Sequence, residues 1–210
     1  MLKINEIYAS IQGESSHTGL PCVFIRLTGC NLRCSWCDTA YAFYEGNDLT
    51  IEETLQKVET FGLGLVEITG GEPLLQEDVY PLMEALLKKG YRVMLETGGA
   101  LPIDKVPEKV IKILDVKCPG SGEEKKNHLE NLKLLSPHDE VKFVLLDRTD
   151  YEWSRDLLQK HDLSSQVLFS PVYDKLNLKD LVQWILEDRL PVRLQTQLHK
   201  VIWSKDTIGV

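Results

Sequence analysis

An alternation of short β-rich runs with helical patterns constrains the fold of this chain more than any other feature. The runs are rich in valine, isoleucine, leucine and aromatic residues, which favour strands, and segments with helical hydrophobic spacing separate them. The predicted strands cover 2–11, 22–28, 65–69, 91–96, 111–117, 141–146, 166–170 and 191–195. The predicted helices cover 50–60, 77–89, 123–135, 149–161 and 178–189. Strands joined by helices indicate parallel βαβ units.

The length of the chain distinguishes a closed barrel from an incomplete one. It has 210 residues, which fits one compact domain, whereas a complete (β/α)8 barrel usually needs about 250 residues. We therefore predict an α/β fold built as a partial TIM-type barrel, with parallel strands and about six core strands. We also predict a single domain over residues 1–210.

Unusual polar motifs follow most of the predicted strands. They read TGCNLRC, TGGEP, ETGG, DVKCPGSG, SPVYD and QTQLHK. The carboxyl ends of parallel strands lie at one edge of the sheet, where α/β proteins bind their ligands. The sequence therefore predicts one shared site at this edge.

Charge and hydropathy argue against several classes of function. Acidic residues outnumber basic ones by 32 to 24, and the net charge of −8 argues against binding to nucleic acid or to anionic membranes. No apolar run approaches the roughly 18 residues of a membrane-spanning helix, and the first residues contain no apolar signal-peptide core of about 7–15 residues. We therefore expect a cytoplasmic protein.

Three of the five cysteines lie in one short loop. Cys30, Cys34 and Cys37 have the spacing C-x3-C-x2-C, and an odd number of cysteines without a signal peptide argues against a disulfide framework. Thiolates are ligands for iron–sulfur clusters and for zinc. Three cysteines leave one iron of a 4Fe–4S cluster open, whereas a closed zinc site needs a fourth ligand, which Cys118 or His17 can supply. A non-catalytic zinc or iron–sulfur binding module therefore stays an alternative to an enzyme.

The cysteine loop resembles the signature of the radical S-adenosylmethionine (SAM) superfamily. Trp36 takes the place of the aromatic residue before the last cysteine of that signature, and residues 70–73 match the GGEP motif of the superfamily. The resemblance implies that the three cysteines bind a 4Fe–4S cluster, whose open iron binds the methionine part of SAM. One electron from a donor such as flavodoxin or ferredoxin would then yield a 5′-deoxyadenosyl radical. Beyond this cofactor-held radical, we predict no catalytic side chain.

Residues outside the cysteine loop resemble one family within this superfamily. IYASIQGE at 7–14, GLPCVFIRL at 19–27 and CDT at 37–39 are similar to the 7-carboxy-7-deazaguanine synthases of queuosine and 7-deazapurine biosynthesis. This resemblance implies a lyase-type conversion of 6-carboxy-5,6,7,8-tetrahydropterin to 7-carboxy-7-deazaguanine with loss of ammonia. It also implies magnesium as a further cofactor and a homodimer. A glycyl-radical activating enzyme, which acts on a partner protein, is the alternative because its cysteine loop is similar, although IQGE and CDT are not expected there.

The chemistry of individual residues suggests a pocket for this substrate. Gln12, Gly13 and Glu14 can bond the amide and amino edge of a pterin. Arg26, a charged residue in an apolar strand, can pair with the substrate carboxylate, or else occupies an exposed edge position. Thr69 ends a strand and can bond the substrate, although a β-branched residue is also ordinary in a strand.

Other residues are expected to bind magnesium or SAM. Thr39 offers a hydroxyl oxygen to Mg²⁺, or else serves in a turn. The residues assigned to SAM are Trp36, Asp38, Gly71, Glu72, Glu96, Lys117, Cys118, Pro119, Ser170 and Val172. Related enzymes often have Ser-Pro-Lys where this chain has Lys-Cys-Pro. His199 and Lys200 resemble a C-terminal pair of the family, or form a surface pair. We interpret as surface residues His17, Lys125, Lys126, His128, His138 and His161.

Overall fold

Nine strands form one mixed sheet in this computed structural model, which describes residues 1–205 and 207–210. The strands are β1 Leu2–Ile11, β2 Pro21–Leu27, β3 Asn47–Leu49, β4 Leu65–Gly70, β5 Arg92–Thr97, β6 Ile111–Asp115, β7 Glu140–Leu145, β8 Gln166–Pro171 and β9 Arg193–Leu194. Their order across the sheet is β3-β1-β2-β4-β5-β6-β7-β8-β9. β1 runs antiparallel to β2 and β3, and the other neighbouring strands are parallel.

The sheet is curved into an incomplete barrel, as predicted. β3 and β9 are its two ends and do not pair with each other in the described part of the chain. The six parallel strands β2, β4, β5, β6, β7 and β8 have five to seven residues each, and β9 adds two residues. The predicted α/β fold with about six core strands is therefore confirmed.

The chain has five helices in its described part, of which the first four cover the outer face of the sheet and the last lies at the cavity. They are α1 Ile51–Glu59, α2 Val79–Lys88, α3 Arg148–Lys160, α4 Leu178–Asp188 and the short α5 Leu198–Ile202. α1 begins with a capping box, in which the Thr50 hydroxyl accepts from the Glu53 N–H at 3.1 Å and the Glu53 carboxylate accepts from the Thr50 N–H at 2.8 Å. Among the described residues, no helix is long and apolar enough to cross a membrane.

The alternation of side chains along the strands separates a helix-covered face from an inner face. On β4, Val66 and Ile68 are fully buried in the main core, whereas Glu67 and Thr69 face a cavity on the inner side. A small apolar cluster fills the inner face toward the amino ends of the strands, formed by Cys22, Phe24, Leu65, Met94 and Ile113. The carboxyl ends of the strands therefore carry the polar part of the barrel interior.

The region after β6 differs from the prediction. The predicted helix over 123–135 is wrong. A first 3-10 turn at Pro119–Ser121 precedes this segment, and two more, at Glu124–Lys126 and Leu129–Leu134, replace the helix. Gly122 is left-handed with a φ of 77°, and the buried side chain of Asn131 bonds the carbonyl of Leu101 and the N–H of Ile103. Such bonds between side chain and backbone compete with helix formation.

Smaller differences also have physical causes. β6 ends at Asp115, two residues before the predicted end at 117, because the Asn127 side chain takes both backbone groups of Lys117, at 2.9 and 2.8 Å. The short elements β3 and α5 were not predicted. β3 pairs with the first residues of β1, and such long-range pairing leaves no local signal in a three-residue segment.

Asp150 of α3 anchors the first 3-10 turn. Its carboxylate is 1% exposed and accepts from the N–H groups of Gly120 at 2.8 Å and Leu146 at 2.9 Å. We predict that Asp150→Ala lowers the free energy of unfolding by about 2–3 kcal/mol, because it leaves two N–H donors without this acceptor. The measurement is urea denaturation followed by circular dichroism. The control is Asp156→Ala, which removes a carboxylate that lies on the same helix and is 53% exposed. An equal loss of unfolding free energy in both variants would contradict the prediction.

Candidate functional site

A cavity of 790 Å³ opens at the carboxyl ends of the parallel strands. The predicted site residues that line it are Gln12, Gly13, Glu14, Arg26, Cys30, Cys34, Trp36, Cys37, Asp38, Thr39, Thr69, Gly71, Glu96, Lys117, Ser170, Val172, His199 and Lys200. Glu72, Cys118 and Pro119 lie outside this lining. The structure therefore brings most of the predicted residues to the predicted edge of the sheet.

The cysteine loop, residues 29–39, forms one wall of the cavity. Its three thiols are free and half-buried or exposed. The N–H of Ser35 donates to the carbonyl of Ser121 at 3.1 Å, and the N–H of Arg33 donates to the Glu123 carboxylate at 3.0 Å. The turns that follow β6 therefore hold the cysteine loop in place.

The donor set of this loop fits a 4Fe–4S cluster. Each cysteine of a cluster binds a different iron, so the thiols need not converge on one point. In the described part of the chain, no three His, Cys, Asp or Glu side chains surround a single metal-ion position. Burial raises the pKa of the Cys30 and Cys34 thiols, and the nearby ammonium of Lys117 opposes this effect. Neither Cys118 nor His17 lines the cavity, so neither is placed to complete a zinc site with this loop.

Gly71 allows the cysteine loop to pack directly on the turn after β4. A side-chain carbon at this position would collide with the carbonyl of Gly29 and would lie 2.8 Å from the Cβ of Cys30. Glycine therefore fits this position because two backbones approach closely there.

Glu72 fixes the same turn from behind the cavity wall. Its carboxylate is fully buried and accepts from the N–H groups of Leu74 at 3.0 Å and Gly98 at 2.8 Å, and from the Thr97 hydroxyl at 2.9 Å. Burial raises the pKa of Glu72, while the backbone hydrogen bonds oppose the shift. The observed contacts of this carboxylate are thus with the protein itself.

The Lys-Cys-Pro segment after β6 divides its side chains between two environments. Lys117 lines the cavity with Nζ 2.7 Å from the Asp115 carboxylate. Burial lowers the pKa of Lys117, but Asp115 outweighs it and the pKa is raised overall. Cys118 is 1% exposed and lies against α3, with Sγ 3.3 Å from the Ser154 hydroxyl, and Pro119 begins the first 3-10 turn.

Glu14 is the centre of a polar network across the cavity. Its carboxylate accepts from the side chains of Gln195 at 3.1 Å and Gln197 at 2.8 Å, and it pairs with the ammonium of Lys142. Lys142 also binds the Glu96 carboxylate at 2.6 Å. Burial raises the pKa of Glu14, but Lys142 outweighs this effect and lowers the pKa overall. Glu14 is therefore an ionised acceptor at neutral pH.

Arg26 presents its guanidinium to the cavity from β2. That strand lies between β1 and β4, so the alternative of an exposed edge position is wrong, and the side chain is only 14% exposed. Nε donates to the Glu6 carboxylate at 2.6 Å and Nη2 donates to the Tyr8 hydroxyl at 2.9 Å. These two contacts orient the guanidinium and do not use Nη1.

Helix α5 brings His199 and Lys200 to the cysteine loop. Lys200 is 8% exposed, with Nζ 2.6 Å from the Asp38 carboxylate, so it does not belong to a surface pair. Burial raises the pKa of Asp38, but Lys200 outweighs it and holds the pKa at about 2. The Thr39 hydroxyl donates to Asp38 at 3.0 Å. Burial lowers the pKa of His199, which is therefore neutral at neutral pH.

The residues interpreted as surface positions mostly have that environment. Lys125, Lys126, His128 and His138 are exposed, whereas His17 and His161 are half-buried. None of them lines the cavity.

Sequence reasoning missed several residues of the cavity. Glu67 on β4 and Lys142 on β7 are buried and line it. Each is a charged residue in an apolar strand, which is the signal that singled out Arg26. Tyr8 also lines the cavity and Glu6 binds Arg26 from outside the lining, but only the pairing of β1 with β2 shows that these two residues meet Arg26.

Comparisons with known proteins agree with this geometry. The model of the Radical SAM superfamily matches residues 24–119, which include the cysteine loop and the GGEP turn. A 7-carboxy-7-deazaguanine synthase of Koribacter versatilis (strain Ellin345) is 50% identical over 226 aligned residues, which cover 100% of both chains. A 7-carboxy-7-deazaguanine synthase of Chlorobaculum tepidum is 45% identical and covers 100% of this chain and 97% of the relative.

A solved structure supports the fold. The crystal structure of QueE from Escherichia coli superposes with a TM-score of 0.78 at 24% identity and covers 94% of each chain. Membership of the superfamily implies a 4Fe–4S cluster and SAM as cofactors. Since its relatives match it over the full length at up to half of all positions, this chain belongs to the 7-carboxy-7-deazaguanine synthase family of the radical SAM superfamily.

Proposed function

We propose that this chain converts 6-carboxy-5,6,7,8-tetrahydropterin to 7-carboxy-7-deazaguanine with loss of ammonia. The observation that carries the proposal is the position of the cysteine loop and the segment 12–14 on one cavity. Its volume of 790 Å³ lies in the range of pockets that bind small molecules. The names of the full-length relatives support the same reaction.

The wall with the cysteine loop is the proposed cofactor site. The cluster would be held by Cys30, Cys34 and Cys37, and together with SAM it supplies the one-electron cleavage that starts the radical reaction. We propose SAM contacts for the residues that line this part of the cavity, which are Trp36, Asp38, Gly71, Glu96, Lys117, Ser170 and Val172. Glu72, Cys118 and Pro119 would support the same wall from behind, since their side chains do not line it.

The wall opposite suits a pterin that carries a carboxylate. Ionised Glu14 accepts hydrogen bonds from amino and ring N–H groups, and the Gln12 amide both donates and accepts. Gly13 and Thr69 lie beside them on the lining. The guanidinium of Arg26 matches a carboxylate in a bidentate way.

We propose that Thr39 contributes a ligand to magnesium. Mg²⁺ prefers oxygen ligands and usually keeps several waters. The Thr39 hydroxyl lines the cavity next to the cysteine loop, and Lys200 already neutralises the adjacent Asp38. A hydroxyl oxygen together with oxygens of the carboxylated substrate is therefore a suitable set.

We further propose a single domain over 1–210, a homodimer, a cytoplasmic location and an electron donor such as flavodoxin or ferredoxin. The first is supported by the sheet, which includes strands from β1 to β9. A net charge of −8 supports the absence of nucleic-acid and membrane partners. The other proposals rest on the family resemblance.

One experiment separates the candidate functions. The protein is reconstituted anaerobically with iron and sulfide, then incubated with the pterin, SAM and a reductant, and products are identified by mass spectrometry. The deazaguanine product supports the proposal. A glycyl radical formed on a partner protein, with no change in the pterin, would favour an activating enzyme, and zinc without iron would favour a binding module.

The three cysteines should be required individually. We predict that Cys30→Ala, Cys34→Ala or Cys37→Ala abolishes cluster assembly and turnover, because each thiolate binds a separate iron. Iron and sulfide content and the visible spectrum after reconstitution measure the outcome. Cys22→Ala is the control, since Cys22 is fully buried in the apolar inner cluster. A complete, active cluster in any loop variant would refute the ligand assignment.

Arg26 should bind the substrate rather than the cofactor. We predict that Arg26→Lys weakens pterin binding by on the order of 2–5 kcal/mol, because lysine lacks the planar fork and the carboxylate partner is desolvated. The cluster and SAM binding should be retained. Titration calorimetry of the reconstituted protein with each ligand gives the measurement, and unchanged pterin affinity would place Arg26 outside the substrate pocket.

Thr39 should affect the response to magnesium. We predict that Thr39→Ala lowers turnover and reduces its stimulation by Mg²⁺. Loss of this ligand would shift the bound substrate, and a displacement of about 1 Å costs about 10²-fold in rate. Thr39→Ser keeps the oxygen and should recover most of the response. Rates are measured across a magnesium titration with cluster content matched between variants. A wild-type magnesium response in the alanine variant would assign the ion to other ligands.

A further inference from the structure

Glu67 is a carboxyl group on the apolar floor of the cavity. It lies in the middle of β4, paired in register with Phe24 on β2 and Met94 on β5, and is 3% exposed. Phe24 and Met94 belong to the apolar cluster that fills the barrel below it. The side chain of Glu67 nevertheless lines the cavity, so it is within reach of a bound ligand.

The cations near Glu67 are engaged with other carboxylates. Lys142 pairs with Glu14 and Glu96, and Arg26 pairs with Glu6. Among the described residues, no ion pair includes Glu67. The ammonium of Lys142 is thus already paired with two carboxylates, and Glu67, which lies close to both of them, gains by remaining protonated.

A single hydrogen bond connects the carboxyl group of Glu67 to the described protein. The Gln12 side-chain N–H group donates to it, and the carbonyl of Gln12 accepts from the N–H of Glu14 at 2.8 Å. These two bonds fix the direction of the Gln12 amide. The second carboxyl oxygen of Glu67 has no hydrogen-bond partner among residues 1–205 and 207–210, and a protonated Glu67 has an O–H to donate. A ligand in the cavity is therefore the available acceptor.

We propose that Glu67 is a specificity-determining contact, a neutral carboxylic acid that donates its proton to a carbonyl oxygen on an uncharged ring edge of the substrate. The inference rests on the proposed function, because the pterin supplies such a ring amide. The neighbouring carboxylates of Glu14 and Glu96 disfavour an anionic group of the substrate at this point. Arg26 on β2 is the residue that would bind the substrate carboxylate. The acid and the Gln12 amide together then recognise the ring.

Burial supports this protonation state. It raises the pKa of Glu67 well above the ordinary value for glutamate, and the carboxylates of Glu96 and Glu14 raise it further. Substrate binding therefore requires the form that exists below the raised pKa, and affinity falls as pH increases through it. Ionisation removes the donor and adds a third negative charge to the pocket.

Other titratable groups face Glu67 and must be separated from it. They are Tyr8 on β1, Cys22 and Arg26 on β2, Glu96 on β5, Lys142 on β7, and Glu14 in the loop after β1. Because a variant of Glu67 retains all of them, the difference between its pH profile and that of the wild type isolates Glu67.

The test measures pterin dissociation constants for the cluster-reconstituted protein with SAM but without reductant, so that binding occurs without turnover. Titration calorimetry covers about pH 6 to about pH 10, a range that begins above the ordinary pKa of glutamate. For the wild type we expect the dissociation constant to rise with pH. Glu67→Gln keeps a neutral donor, so we expect its dissociation constant at pH 6 to be at most about threefold higher than that of the wild type. We also expect this variant to lose the part of the pH dependence that comes from Glu67.

Two further variants complete the design. Glu67→Leu removes the donor and leaves Gln12 without its partner, so we expect at least about tenfold weaker binding at pH 6, the scale of a lost buried hydrogen bond. Glu140→Gln is the matched control. Glu140 is another buried glutamate of the sheet, but it does not line the cavity, and its carboxylate accepts from the Ser16 N–H at 2.9 Å. The Glu140→Gln variant should therefore keep the wild-type pH profile.

The outcomes distinguish this inference from the proposed function. A wild-type pH profile in Glu67→Gln, or a loss of affinity in Glu67→Gln equal to that in Glu67→Leu, overturns the role of Glu67 while pterin binding by the wild type stands. A wild-type protein that neither binds nor converts the pterin overturns both. The comparison of wild type with Glu67→Gln remains decisive if Glu67→Leu does not fold.

Discussion

The ammonium of Lys142, buried between the carboxylates of Glu14 and Glu96, is the interaction on which the rest of the site depends. It connects β7 to the loop after β1 and to the end of β5, and these contacts cross the interior of the barrel. Strand pairing does not close this barrel, since β3 and β9 do not pair with each other among the described residues. Buried charges are costly unless they are paired and fully hydrogen-bonded. Gln195 and Gln197 complete the shell around Glu14. The same contacts attach the segment that leads into α5, which carries Lys200 to Asp38 at the edge of the cysteine loop.

The cysteine loop depends on a second set of supports that come from distant parts of the chain. Its irregular backbone is bonded to the 3-10 turns after β6 and packs on Gly71 after β4. Asp150 of α3 holds the first of those turns. A loop without regular structure satisfies its backbone groups through such contacts. The site therefore has two walls on one cavity of the barrel: the cysteine loop forms one, and polar side chains form the other.

The apolar cluster at the amino ends of the strands explains why the polar residues act as a group. Phe24, Met94 and Ile113 fill the barrel below Glu67, so the charged side chains lie between a low-dielectric floor and the open mouth. Electrostatic interactions are stronger in such surroundings than in water. The opposite pKa shifts of Glu14 and Glu67 follow from this: Glu14 has the Lys142 ammonium beside it, whereas Glu67 has an amide.

The sequence by itself determined the strand–helix alternation, the incomplete barrel, the cysteine loop and the GGEP turn, because each is a local pattern of residue types. It also identified Arg26, a charge in an apolar strand, although the same signal at Glu67 and Lys142 was missed. Only the tertiary structure decided what these charges meet. Glu6 and Tyr8 reach Arg26 through strand pairing, Glu14 and Lys142 are 128 positions apart, and the carboxylate of Glu72 turns inward to backbone N–H groups. It also replaced the predicted helix over 123–135 by turns, since Asn131 bonds backbone groups some 30 positions earlier. Local patterns are set by neighbouring residues, whereas ion pairs and side-chain caps depend on distances that exist only after the chain has folded.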